Sequence, residues 1–432
     1  MGIERNRRRR WPRRVTRHGG GFVAVATLLL FVGGLAAASL AAQAREVAVT
    51  RSPPPTASAA PGGAPQPPIA VASLSASSPS PPAATPPPPS ATAACVDPGS
   101  WEVARRVEQV ILVSGQFGNL PASAPGSVAG VGGFVLFGQP PAGSGPSIRA
   151  GIEALEGAAA GAGQVAPWMA TDEEGGPVQR LAGVIGALPS ARQIAARWSP
   201  AQLQAAIAAH GAAMRELGVN VDLAPVLDVS SATNEVAEED RRALSNDPQV
   251  VATYGTAFMR GLGAGGVEAV GKHFPGLGHA TANTDLGPST DPPLAQLEAD
   301  DLIPFDRALA AGLRMVMVSH VAVPGLTGAT PASLSPAAYT YLRDAVHFTG
   351  VAMTDSLDAR AISAAGYSEP AAAVTALGAG ADMVMIGAGS WRATVAAITA
   401  AVTSGALPTD RLDAAAGRVL TAKGLPVCGV RP

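Results

Sequence analysis

Carboxylates, a lysine and a histidine stand at the ends of short apolar runs in this sequence, and such groups can perform acid–base and nucleophilic chemistry. In "GVAMTDSLDA" the run ends in Asp355, which could act as nucleophile, base or metal ligand, or could simply cap the next helix. "TDEEGGPVQRL" (171–181) sets Asp172 and two further acids before a Gly-Gly pair, bringing backbone and carboxylates close to a ligand. No histidine lies nearby and oxygen ligands do not follow at calcium-loop spacing, so acceptance of hydrogen bonds from sugar hydroxyls suits it better than metal binding. "GKHFPG" puts Lys272 and His273 at another run's end, two donors suited to a neutral polyhydroxyl ligand or an anion. His273 could instead serve structurally, donating to a backbone carbonyl. There is no phosphate-binding loop, no GxGxxG after a strand and no CxxC, so nucleotide and zinc chemistry have no support, and neither cofactor nor metal is expected.

Short β-branched or apolar runs alternate with Ala-rich helical stretches from Cys95 onward. The runs at 132–138, 168–176, 219–229, 267–276, 315–324, 350–357 and 382–389 read as strands. Helical patterns such as "PAQLQAAIAAHGAAMRELG", "PQVVATYGTAFMRGLGAGG" and "LIPFDRALAAGL" lie between them. Such alternation implies parallel β-α units, as a (β/α)8 barrel or a doubly wound sheet. The runs end in Asp172-Glu173, Asp228, Lys272-His273, Ser319-His320 and Thr354-Asp355. A doubly wound sheet gathers ligands at one switch point, whereas a barrel brings every strand's C-terminus around one mouth. A TIM-type barrel of seven recognised strands, with an eighth to be found, is therefore expected over 95–432.

The stretches "DEEGGPVQRL", "VDLAPVLDV", "RALSNDP", "GKHFPG", "SHVAVPGLTGATPASLS" and "AMTDSLDARAI" keep an order and spacing that resembles glycoside hydrolase family 3, in particular the barrel-only bacterial β-N-acetylhexosaminidases. The resemblance covers roughly residues 100–425. It implies that Asp355 is the nucleophile of a retaining mechanism. It also implies that Asp172 binds sugar hydroxyls far from the anomeric carbon, and that Arg242, Lys272 and His273 bind around the ring. Family members commonly carry a basic residue after the Gly-Gly, where this chain has Pro177. A family 3 glucosidase or xylosidase is a nearer alternative on the same pattern.

The proton donor is the unusual point. Barrel-only relatives supply it from an Asp-Ser-His group, and those places here hold Asn283, Thr284 and Asp285. The preceding FPGHG pattern reads FPGLG, with Leu277 in place of the histidine. Asp285 could itself be the acid/base, returning to the two-carboxylate plan, with the Asn283 amide oxygen accepting the proton of neutral Asp285. Alternatively His279 could swing in, or the site could bind sugar without efficient turnover. Asp285 is the expected donor, by elimination.

The opening twenty residues carry eight arginines and one glutamate, and an apolar run ending in Ala42-Gln43-Ala44 follows. Residues 1–44 thus read as a cleaved export signal or, since the apolar run is long enough to span a bilayer, as an anchor through 21–44. Removing those eight positive charges and one negative charge takes the formal charge from -2 to -9. An acidic product with two lysines, Lys272 and Lys423, lacks the basic footprint of a nucleic-acid binder. Residues 45–94 are rich in Pro, Ala and Ser and read as an extended spacer. In an exported chain Cys95 and Cys428 are expected to form a disulfide joining the domain's ends. The chain is expected to be a cell-surface or secreted monomer that takes a carbohydrate substrate.

Overall fold

The computed structural model describes residues 95–119, 130–230 and 242–429. The expected export segment and the Pro-rich tract lie outside those residues.

Eight parallel strands close into a barrel. They are β1 (Ile111–Gln116), β2 (Gly133–Phe137), β3 (Trp168–Thr171), β4 (Val221–Asp222), β5 (Glu268–Phe274), β6 (Met315–Val318), β7 (Val351–Ser356) and β8 (Met383–Ile386). Each pairs with its neighbours in chain order and β1 closes on β8, as the TIM-type reading requires. From β2 onward helices separate successive strands, among them Gly145–Gly161, Pro200–Glu216, Pro248–Ala264, Leu302–Ala310 and Glu369–Ala379. The expected helices start where capping chemistry starts them. Ser199 forms a reciprocal capping box with Gln202 ahead of Pro200, and Asp247 accepts from the Gln249 N–H ahead of Pro248.

The strand missing from the sequence reading is β1, "ILVSGQ". It follows the helix Val103–Gln109 after the single residue Val110, so no Gly, Pro or Asn marks the change of period. Two expected strands are shorter than read. The 168–176 run leaves the barrel at Thr171, and Glu173–Gly175 pairs antiparallel with Val178–Gln179 in a separate hairpin turned by Gly175 and Gly176, both at positive φ. The 219–229 run pairs over Val221–Asp222 and regains one bridge, Val226 to Lys272, because Pro225 has no N–H to give the ladder.

Side chains alternate between the two faces of a strand, and here that alternation carries polar groups to the mouth. Inside the barrel Val135, Trp168, Ala170, Val221, Val270, Met315, Met317, Val351, Met353, Met383 and Met385 form one packed cluster. The intervening Phe134, Leu136, Met169, Val316, Val318 and Ala352 pack outward with the helices. On β3 the inward series Trp168, Ala170 continues to Asp172; on β7 Val351, Met353 continues to Asp355. Cys95 and Cys428 are disulfide-bonded across 333 residues of sequence, as expected, and Val96 bridges Val427 beside them.

Candidate active site

A cavity of about 370 Å³ lies at the C-terminal ends of the strands. Asp172, Arg242, Lys272, His273, Asn283, Asp285 and Asp355 all line it, together with the apolar side chains of Phe137, Leu223, Met317 and Met385. Seven of the eight residues singled out from sequence therefore share one space. His279 is the eighth and does not line it. Its Nδ1 pairs with Asp301 Oδ1 at 3.3 Å, beside the start of the helix Leu302–Ala310.

The floor is a buried network of charges. Lys272 Nζ donates to Asp172 Oδ1 at 2.8 Å and pairs with Glu174 Oε1 at 2.5 Å. Arg242 donates to the same Glu174 through Nε at 2.7 Å and Nη2 at 2.9 Å. Burial works against the ionised Glu174, but Arg242 and Lys272 outweigh it and hold the carboxyl far below its usual range. Burial likewise disfavours the Lys272 ammonium, and Asp172 and Glu174 reverse that to raise its pKa. Lys272 is thus a fixed cation, not a base. Arg180 Nη2 reaches Asp172 Oδ2 at 3.5 Å and also lines the cavity, which supplies a guanidinium three residues after Pro177.

Glu174 and Arg180, both in the "DEEGGPVQRL" stretch, join the site beyond the residues expected from sequence. The two-residue spacing from Asp172 to Glu174 was the available signal. Glu173, between them, turns away to His210 at 2.9 Å.

His273 is held by Asp228, whose Oδ2 takes Nδ1–H at 2.7 Å and whose Oδ1 accepts the backbone N–H groups of His273 and Leu277. Arg242 Nη2 lies 3.3 Å from His273 Nε2, which as acceptor completes the Nδ1–H tautomer. The peptide between Lys272 and His273 is cis, and both side chains face the cavity. His320, read only as a strand-end residue, donates Nε2–H to the Ser356 carbonyl at 2.8 Å and sits behind Asp355.

The two candidate catalytic carboxylates are driven apart. Burial would raise the Asp355 pKa, but His320, His273, the Ser356 N–H and Lys272 together lower it. Asp285 moves the other way, raised by burial and by the charge of Asp355 against the opposing His320, His273 and Arg242. Asp285 sits on the rim and remains solvent-accessible. Its backbone N–H donates to Asn283 Oδ1 at 2.7 Å, so the amide oxygen expected to receive the Asp285 proton closes a turn instead. The Thr284 and Asp285 carbonyls accept the N–H groups of Ala361 and Arg360, which ties this loop to the segment after β7.

A parallel barrel with an ionised carboxylate at a strand end, a second carboxyl on a loop of the same cavity, and a buried floor of hydrogen-bond donors and acceptors is the architecture of a barrel glycoside hydrolase. The sequence profile of the glycosyl hydrolase family 3 N-terminal domain matches residues 130–422, and the chain belongs to glycoside hydrolase family 3. It is 37% identical over 284 residues to the β-hexosaminidase LpqI of Mycobacterium tuberculosis, covering 64% of this chain and 73% of that one. A glycosyl hydrolase family 3 member from Mycobacterium smegmatis superimposes with TM-score 0.69 at 34% identity, over 76% of this chain and 98% of that one. A β-N-acetylhexosaminidase from Beutenbergia cavernae does so with TM-score 0.69 at 32% identity, over 76% and 100%.

Proposed function

We propose that this glycoside hydrolase is an exported, retaining β-N-acetylhexosaminidase that removes terminal N-acetylglucosamine from cell-wall material. The opposed shifts of Asp355 and Asp285 across one cavity carry the mechanism. The names of the relatives support the sugar. Asp355, ionised, attacks the anomeric carbon as Asp285, protonated, delivers its proton to the glycosidic oxygen. Asp285 then deprotonates the water that releases the sugar from Asp355, with net retention. Asp172, Arg242, Lys272 and His273 hold the ring hydroxyls and bring the anomeric carbon to Asp355. The arginine-rich leader and the acidic charge of the remainder support action outside the cytoplasm, by release or by anchoring through 21–44, and we take the chain to act as a monomer.

Leaving groups of different basicity test the role of Asp285. A nitrophenolate departs without a proton, whereas an alkoxide or a sugar alkoxide does not. Asp285→Ala is expected to keep most of the nitrophenyl N-acetylglucosaminide cleavage at the glycosylation step and to lose about 100- to 10,000-fold on methyl or disaccharide substrates. Equal losses on both kinds would remove Asp285 from the acid/base role. Greater kcat/KM on nitrophenyl glucoside or xyloside than on the N-acetylglucosaminide would replace the sugar proposed.

A further inference from the structure

The loop that carries Asp285 is drawn together at a neck. The Thr281 N–H donates to the Thr290 carbonyl at 3.0 Å, and the Thr290 N–H donates to Thr281 Oγ1 at 3.0 Å. Ala322 holds the returning side: its N–H donates to the Ser289 carbonyl and its carbonyl accepts the Asp291 N–H, each at 2.9 Å. His279 comes just before the neck and Asp291 just after it.

The Asp291 carboxyl has no partner in this arrangement. It is 4% exposed, and neither of its oxygens meets a hydrogen-bond donor among the described residues. The largest charge acting on it is that of Asp301, another acid; Asp228, paired with His273, adds to it, and no cation opposes them. Asp301 is wholly buried at the start of the helix Leu302–Ala310, yet its side chain makes no capping hydrogen bond. Its Oδ1 faces His279 Nδ1 at 3.3 Å, with Asp300 also acting on that pair, whereas its Oδ2 lacks a donor as well. Two ionised carboxylates in this state would both be stripped of water and would repel each other. One proton relieves both costs, because a neutral Asp291 is an O–H donor and Asp301 Oδ2 is an unfilled acceptor. Burial first, then the Asp301 charge, holds the Asp291 carboxyl well above the usual aspartate range.

We propose that Asp291 is a positioning residue for the reaction: as a neutral acid it donates its O–H to Asp301 Oδ2 and, with His279 on Oδ1, clamps both sides of the neck to one carboxylate. The assignment rests on the reading of Asp285 as proton donor. Loss of the Asp291 proton restores the repulsion and frees the neck from Asp301. Asp285 is then misplaced against the glycosidic oxygen, while Asp355 and the charged floor keep their positions.

Two variants of the full chain test this. Asp291→Asn keeps the shape and offers Asp301 Oδ2 an N–H at every pH, whereas Asp291→Ala leaves that oxygen without a donor. The infrared difference between wild type and Asp291→Asn at about pH 7 should contain the carbonyl stretch of a protonated carboxyl. Carboxylate bands in its place, or a melting temperature raised by calcium or magnesium in wild type alone, mean an ionised Asp291 and overturn the assignment. Because the folded chain holds the extra proton, wild-type stability falls as pH rises from the unfolded aspartate value, about 4, toward the native one. The melting temperature of Asp291→Asn relative to wild type should therefore climb by about 2 °C or more between about pH 4 and pH 8, and a constant difference overturns the proposal. On methyl or disaccharide substrates Asp291→Ala should lose about tenfold or more in kcat, with nitrophenyl cleavage little changed and Asp291→Asn close to wild type. Equal losses on both substrate classes, or no rescue by Asp291→Asn, make the residue merely structural and also overturn it. If Asp285→Ala itself fails to separate the two classes, the proton donor is lost and this role with it; that failure is distinct from one in which the spectra show Asp291 ionised.

Discussion

On the proposed mechanism Asp355 and Asp285 begin a turnover in opposite protonation states, and their surroundings favour those states. Activity should rise with pH as Asp355 ionises, at a value below the usual aspartate range, and fall as Asp285 ionises, at a value above it. A bound sugar excludes the water that screens Asp285 on the rim, which strengthens the push from Asp355. The alkaline limb of kcat should therefore lie above that of kcat/KM for methyl or disaccharide substrates, whereas the nitrophenyl substrate, which needs no proton to depart, should show little of that limb in the wild-type enzyme or in Asp285→Ala. A pH series on both enzymes reads this directly. Glu174 is the counterweight beneath the substrate, paired with Arg242 and Lys272 while almost wholly buried. Glu174→Gln leaves two cations undercompensated. It should cost about 3–5 kcal/mol of stability in a denaturant titration and raise KM more than it lowers kcat, since Arg242 and Lys272, the proposed sugar-binding donors, lose their fixed positions.

The element on which the proposed chemistry depends is the loop after β5. Asp228 pins its start through His273 and the Leu277 N–H, and its far side hangs on Ala361 and Arg360. Between those anchors Gly278 runs so close to the backbone of Val229 that a Cβ would lie 2.1 Å from the Val229 carbonyl oxygen. Neither backbone can yield without moving the loop. Gly278→Ala should destabilise the fold by about 1–3 kcal/mol and lower kcat more on alkyl than on nitrophenyl glycosides, because the displaced loop carries Asp285. Thermal melts and the two substrate classes measure the two effects. Asn283 contributes through the same element, since its side chain holds the turn that presents Asp285. This role was not legible in the sequence, where the Asn283 amide oxygen was expected to accept the proton of neutral Asp285.

On the scale of the whole molecule, the barrel is clasped where its chain begins and ends. The Cys95–Cys428 bond spans 333 residues, so it restricts nearly the whole unfolded domain, and Cys95→Ser with Cys428→Ser should cost about 2–5 kcal/mol by denaturant titration with kcat unchanged. At the N-terminal ends of the strands, far from the chemistry, Asp382 accepts from Arg411 at 3.1 Å and Arg418 at 3.0 Å, which ties β8 to the last helix, Thr409–Ala422. Periodicity, strand-end residues and motif order were enough to determine a parallel barrel and the composition of its mouth. An alternation of two along each strand is a local property, and it aims Asp172 and Asp355 inward wherever the strands finally lie. The tertiary structure alone decided that Glu174 clamps Lys272 and Arg242, that His279 turns to Asp301, and that the loop bearing Asp285 hangs on Ala361 and Arg360. Those facts depend on distances between loops far apart in the chain, and no local pattern encodes them until the barrel closes.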